Sequence, residues 1–103
     1  MNQKEFDELL NIRITKIKDV LQSKGTGYSF NNDRLHNFKV AARITGQTPF
    51  QALWGMALKH LVSVEDLIEG RVENHRHLID EKLGDLINYL ILLEALFEDM
   101  RKI

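Results

Sequence analysis

Apolar residues recur along this chain at intervals of three and four, the period of helices that pack by one face. Phe6, Leu10, Ile14, Ile17 and Leu21 predict a first helix from about Gln3 to Ser23, with Gly25 placed for a left-handed C-terminal cap. A loop with two glycines and two aromatics, Gly25 to Asn31, follows it. A second helix is expected from Asn31 or Asn32 as N-cap, with Asp33 in its first turn, where the helix dipole favours an anion. Leu35, Phe38, Ala41 and Ala42 give that helix an inward face, and Gly46 ends it.

Thr48-Pro49-Phe50-Gln51 opens a third helix, with Thr48 as cap, Pro49 in the first helical position and Gln51 completing a capping box. Leu53, Met56, Ala57, His60 and Leu61 share its apolar side. Ser63 is placed to cap a short fourth helix, Val64 to Glu69, that stops at Gly70, and Arg71 to His77 is a polar connector. The fifth helix, Leu78 to Lys102, carries the strongest pattern: Ile79, Leu83, Leu86, Leu90, Leu93, Phe97 and Met100 form a seam of alternating fours and threes. Ile87, Ile91 and Leu96 add a second apolar side.

These elements predict an all-α fold, a single domain over 1–103, built as a four- to five-helix bundle with a long C-terminal helix. A helix apolar on several sides belongs at the centre of a bundle or of an oligomer, so self-association through the last helix is expected. The 44% hydrophobic and 28% charged residues describe a globular chain. A net charge of −1, mixed along the sequence, argues against general attraction to nucleic acid. The absence of cysteine excludes disulfides and thiolate zinc sites and suits a reducing cytosol. Met1 to Glu5 opens into a charged amphipathic pattern without signal-peptide character. The longest apolar stretch, Tyr89 to Leu93, is too short to span a bilayer. A cytoplasmic protein without a membrane partner is the expectation.

Glu81, Asp85 and Asn88 stand at i, i+4 and i+7 of the last helix, so they project from one stripe through an otherwise apolar surface. Two acids a turn apart are a common oxygen pair for a hard divalent cation; the alternative, slightly favoured on these residues alone, is a solvated edge, with Glu81 pairing to a nearby lysine and Asn88 bonding a neighbouring helix. Asp33 and Asn37 share the same spacing, and Arg34 offers a planar fork to phosphate or, alternatively, simply faces solvent. Lys59 and His60 follow on the third helix, His60 inward, where it is either a core residue or a base. The Gly25-Thr26-Gly27-Tyr28 loop offers backbone N–H groups and a stacking ring to a nucleotide, or closes a turn, and no Walker A or dinucleotide fingerprint accompanies it.

Taken in order, Lys24, Tyr28, Asp33-Arg34-Leu35, Asn37-Phe38, Lys59-His60, Glu81-Lys82-Leu83, Asp85 and Asn88-Tyr89 resemble a small phage and prophage family catalogued as a nucleotide-modification-associated domain. That resemblance spans Lys24 to Glu98 and implies an α-helical phage-type protein connected with nucleotides. More distantly, the chain is similar to MazG-type all-α nucleoside triphosphate pyrophosphohydrolases, which hold magnesium with E-x-x-E on one helix and E-x-x-D on the next. This chain departs from that pattern: its last-helix motif is Glu81-x-x-x-Asp85, and its E-x-x-E, Glu5-x-x-Glu8, lies at the extreme N-terminus.

Two functions follow as expectations. The first is capture of a nucleotide or nucleotide-derived signal, cyclic molecules included, by which a phage would sequester a host defence messenger. Lys24, Arg34 and Lys59 then meet phosphate, Tyr28 or Phe30 stacks on a base, and Asp33, Asn37, His60 and Asn88 complete the pocket. The second is a Mg2+- or Mn2+-dependent pyrophosphohydrolase with Glu81, Asp85 and Asp33 as ligands and His60 or Lys59 assisting the leaving phosphate. A structural helical module that binds other proteins is a third reading.

Overall fold

A computed structural model of the chain describes residues 1–23 and 33–102. Four helices account for it: α1 (Gln3–Lys18), α2 (His36–Thr45), α3 (Pro49–Ile68) and α4 (Arg76–Arg101). A π-helical turn, Asp19–Ser23, continues α1, so the first expected helix has the expected length. No strand forms among the described residues, and no helix there is long and apolar enough to cross a membrane.

The local signals at α3 act as their chemistry requires. Thr48 Oγ1 accepts from the Gln51 backbone N–H at 3.1 Å, and the Thr48 N–H donates to Gln51 Oε1 at 2.9 Å. Two of the N-terminal donors that a helix cannot satisfy internally are thereby covered. Gly46 ends α2 at φ 68°, in the left-handed region that favours glycine.

Two boundaries differ from expectation. There is no separate helix at Val64–Glu69: α3 runs on to Ile68, and Ser63 Oγ donates back to the Lys59 carbonyl at 3.1 Å. A serine hydroxyl serves a helix interior that way as readily as it serves a cap. α2 begins three or four residues later than its sequence suggested, with Leu35 as N-cap, because Asp33 first builds a turn. Its Oδ1 accepts from the Leu35 N–H at 3.0 Å and its carbonyl from the His36 N–H at 3.2 Å.

Packing centres on α3, which lies against both α2 and α4. Leu35, Phe38, Leu53 and Leu96 form the buried cluster, with Phe50, Met56, Tyr89, Leu92, Leu93 and Met100 around it. Leu53 and Leu96 are fully buried, each contributing on the order of 2 kcal/mol by leaving water. The buried line of α4 is Gly84, Asn88 and Leu96, with Leu92 half-buried between them. The expected seam is therefore divided: Leu93 and Met100 pack against the core, while Leu83, Leu90 and Phe97 lie exposed on another side of α4.

α1 contributes no buried residue. Of its expected inward face, Phe6, Leu10 and Ile14 are exposed, and only Ile17 and Leu21 are half-covered. Its anchor is polar. Asp80 of α4 accepts from Arg13 Nη2 at 2.7 Å, from Lys16 Nζ at 2.6 Å and from Arg76 Nε at 3.1 Å.

Candidate functional site

Where the end of α1 meets the first half of α4, a cavity of about 420 Å³ opens, within the usual size of small-molecule sites. Arg34 reaches it from the turn before α2, Asn37 from the start of α2, Met56 and His60 from α3, and Asp85, Asn88, Tyr89 and Leu92 from α4. Val20 and Leu21 of the π-helical turn close one side. A π turn is wider than an α turn, so the side chains in it leave the register of the helix before it.

The wall of this cavity is aromatic. His60 stacks on Tyr89 with ring centroids 4.8 Å apart, and Phe38 meets Tyr89 edge-on at 6.4 Å. His60 Nδ1 lies 3.7 Å from Asp85 Oδ2, too far for a hydrogen bond but close enough for charge to be felt. Asn88 is buried, and its Oδ1 is enclosed without a hydrogen-bond partner. Such an atom in native structures calls for an explanation, and a ligand is one. Arg34 is half-buried and makes no ion pair or hydrogen bond among the described residues.

A second cavity of about 380 Å³ adjoins the first through the shared residues Val20, Asp85 and Asn88. Arg13, Lys16, Asp80 and Glu81 line it, and Gly84 forms part of its floor. A Cβ at position 84 would stand 2.9 Å from Arg13 Nη1, so glycine there gives the guanidinium its passage to Asp80. Hydrogen bonds from Arg76 and then Lys16 hold the Asp80 carboxyl far below the usual range, against the opposing pull of burial.

The sequence-derived site residues divide into three groups. Arg34, Asn37, His60, Asp85 and Asn88 converge on the first cavity. Lys59, Asp33 and Glu81 do not join them. Lys59 is exposed and lines neither cavity, because it follows the outer side of α3. Asp33 binds Lys39 Nζ at 2.8 Å, and Lys39 binds Asp99 at 2.9 Å. The Lys39 hydrogen bond lowers the Asp33 pKa, and both carboxylates raise that of Lys39. Glu81 stands on the second cavity beside exposed His77 at 3.7 Å. Lys24, Tyr28 and Phe30 lie outside the described residues.

The three acids assigned to a metal are thus not assembled. Asp33 is tied to Asp99, which lies fourteen residues from Asp85 along α4, on the order of 21 Å at the helical rise. Among the described residues no three His, Cys, Asp or Glu side chains stand together as a metal cage. Tyr89, Met56 and the Val20-Leu21 wall were missed as site residues. Tyr89 had a signal, since it follows Asn88 and sits one turn beyond Asp85 on the same face. The Asp80 hub showed only its i, i+4 pairing with Arg76, because its other two partners, Lys16 and Arg13, are 64 and 67 residues away.

No family model, no curated protein and no solved structure matches the chain.

Proposed function

We propose that this chain captures a nucleotide or a nucleotide-derived messenger in the first cavity, holding it without chemical change. One juxtaposition carries the reading. A guanidinium without a carboxylate partner among the described residues and a buried asparagine with an unpartnered Oδ1 belong to the lining of one cavity with a stacked aromatic wall. A nucleotide supplies what each lacks: phosphate for the fork of Arg34, a polar edge for Asn88, and a flat apolar face for the His60–Tyr89 wall. With the phage resemblance, the role is sequestration of a defence messenger in the host cytoplasm, by a homo-oligomer joined through the outer side of α4.

The pyrophosphohydrolase remains the second reading, favoured by the adjacency of Glu81 and Asp85 on the second cavity, where they would be the carboxylates offered to Mg2+ or Mn2+. One experiment separates the two. The protein is incubated with nucleoside triphosphates, and separately with cyclic dinucleotides and cyclic ADP-ribose isomers, with magnesium present. It is then heat-denatured and the released molecules are analysed. Capture returns intact ligand in stoichiometric amount, and Arg34→Ala reduces the yield. Monophosphate and pyrophosphate in excess over protein, lost in Glu81→Gln, would replace capture by hydrolysis.

A further inference from the structure

Resting on the nucleotide reading of the first cavity, we infer that the site selects guanine, with Asp85 as the residue that reads the base. The charges of the cavity give a ligand its direction. Arg34 and Asp85 both line it, one from the turn before α2 and the other from α4, and no ion pair joins them. A nucleotide is anionic at its phosphate, which goes to Arg34 and away from the carboxylate. The base is then the part that meets Asp85.

An ionised carboxylate only accepts hydrogen bonds. Asp85 retains its accepting capacity: its nearest charged partner, His60 Nδ1, is 3.7 Å away, and its side chain is 44% exposed. What faces it must donate. Guanine alone among the common bases carries two adjacent donors on its Watson–Crick edge, N1–H and N2–H2, which match two carboxylate oxygens. Adenine and cytosine each set one amino donor beside a ring nitrogen whose lone pair would point at the carboxylate. Uracil and thymine set one N–H between two carbonyl oxygens. Asn88 stands three residues further along the same helix, buried, and its amide N–H2 can donate to the guanine O6 next to those donors, a contact separate from its enclosed Oδ1. Stacking on the His60–Tyr89 wall is indifferent to base identity, so it adds affinity without choosing.

The test is equilibrium binding to the full chain of matched guanine and adenine ligands: GMP with AMP, GTP with ATP, and cyclic di-GMP with cyclic di-AMP. In whichever form binds, the guanine member is expected to bind at least about tenfold more tightly, the scale of one lost charged hydrogen bond. The inosine counterpart, which lacks the 2-amino group, falls between the two. Asp85→Asn brings the guanine-to-adenine ratio close to one, while circular dichroism shows the fold retained. The inosine ladder tests the same contact without mutation. Adenine ligands equal to or tighter than guanine ligands would overturn base selection and leave nucleotide capture standing. No binding of any of the six would overturn base selection, and failure to capture cyclic ADP-ribose isomers as well would overturn nucleotide capture.

Discussion

Asn88 shows what a single side chain costs and supplies here. Its Oδ1 is enclosed without a partner, a situation worth on the order of 1–3 kcal/mol against folding. Leucine has the same branching and number of side-chain heavy atoms, is bulkier, and carries no polar atom. Asn88→Leu is therefore expected to raise the melting temperature of the ligand-free protein by roughly 4–8 °C, the equivalent of about 1 kcal/mol at this size. The same variant should lose nucleotide capture. Calorimetric melting with a binding assay checks both halves, and a destabilised Asn88→Leu would mean that the amide is already satisfied in the folded chain. This residue was legible in the sequence as a polar position in an apolar run, and so was Arg34 as a fork at the start of a helix. What the sequence did not resolve was company: Asp33, adjacent to Arg34, turns away to Lys39, and Lys59, adjacent to His60, faces solvent. Neighbours in sequence on a helix point about 100° apart, so a motif of consecutive residues overstates what reaches one pocket.

The elements were legible where a local signal had one outcome. The capping box at Thr48 and the left-handed Gly46 are set within four residues, and both occur as the sequence indicates. Ser63 had two outcomes, cap or back-bond, and it takes the second within an unbroken α3. α1 depends on the least local feature of all. With no buried residue of its own, it is held largely by the Asp80 hub. The folded pKa of Asp80 lies below its ordinary value of 3.8. The hub is thus fully present above that ordinary value and is lost only as pH falls through the depressed one. From neutral pH down to about pH 4 the contact is constant, and its release requires stronger acid than an unpaired aspartate would. Asp80→Asn removes the charge at any pH while keeping the shape. We expect amide exchange in α1 to accelerate by about tenfold or more, with α3 unchanged, because α1 opens as its own unit. Equal acceleration in α3 would show that the hub supports the whole fold.

The whole molecule is longer than its size requires. Its extents are 45 × 28 × 23 Å and its radius of gyration 15.7 Å, against about 13 Å for a compact domain of this length. The surface carries apolar side chains that one copy does not cover: Phe6 and Leu10 on α1, Trp54, Leu58 and Leu61 on α3, and Leu83, Leu90 and Phe97 on α4. The three on α4 stand seven residues apart, so they form one straight row separate from the buried Gly84–Asn88–Leu96 line. A row at that spacing is what a second helix packs against, and exposed apolar area of this extent marks an association surface. The prediction is self-association through the outer side of α4: sedimentation at tens of micromolar, a concentration chosen for roughly micromolar affinity, is expected to show a species larger than the monomer. Two substitutions on the same helix distinguish assembly from folding. Leu90 is 47% exposed in one copy, so Leu90→Glu should give a monomer that keeps its helix content. Leu96 is 0% exposed, so Leu96→Glu buries an unpaired carboxylate and should unfold the chain. A parent chain that sediments as a monomer, or a Leu90→Glu variant that sediments like an oligomeric parent, would place any assembly contact elsewhere than this row.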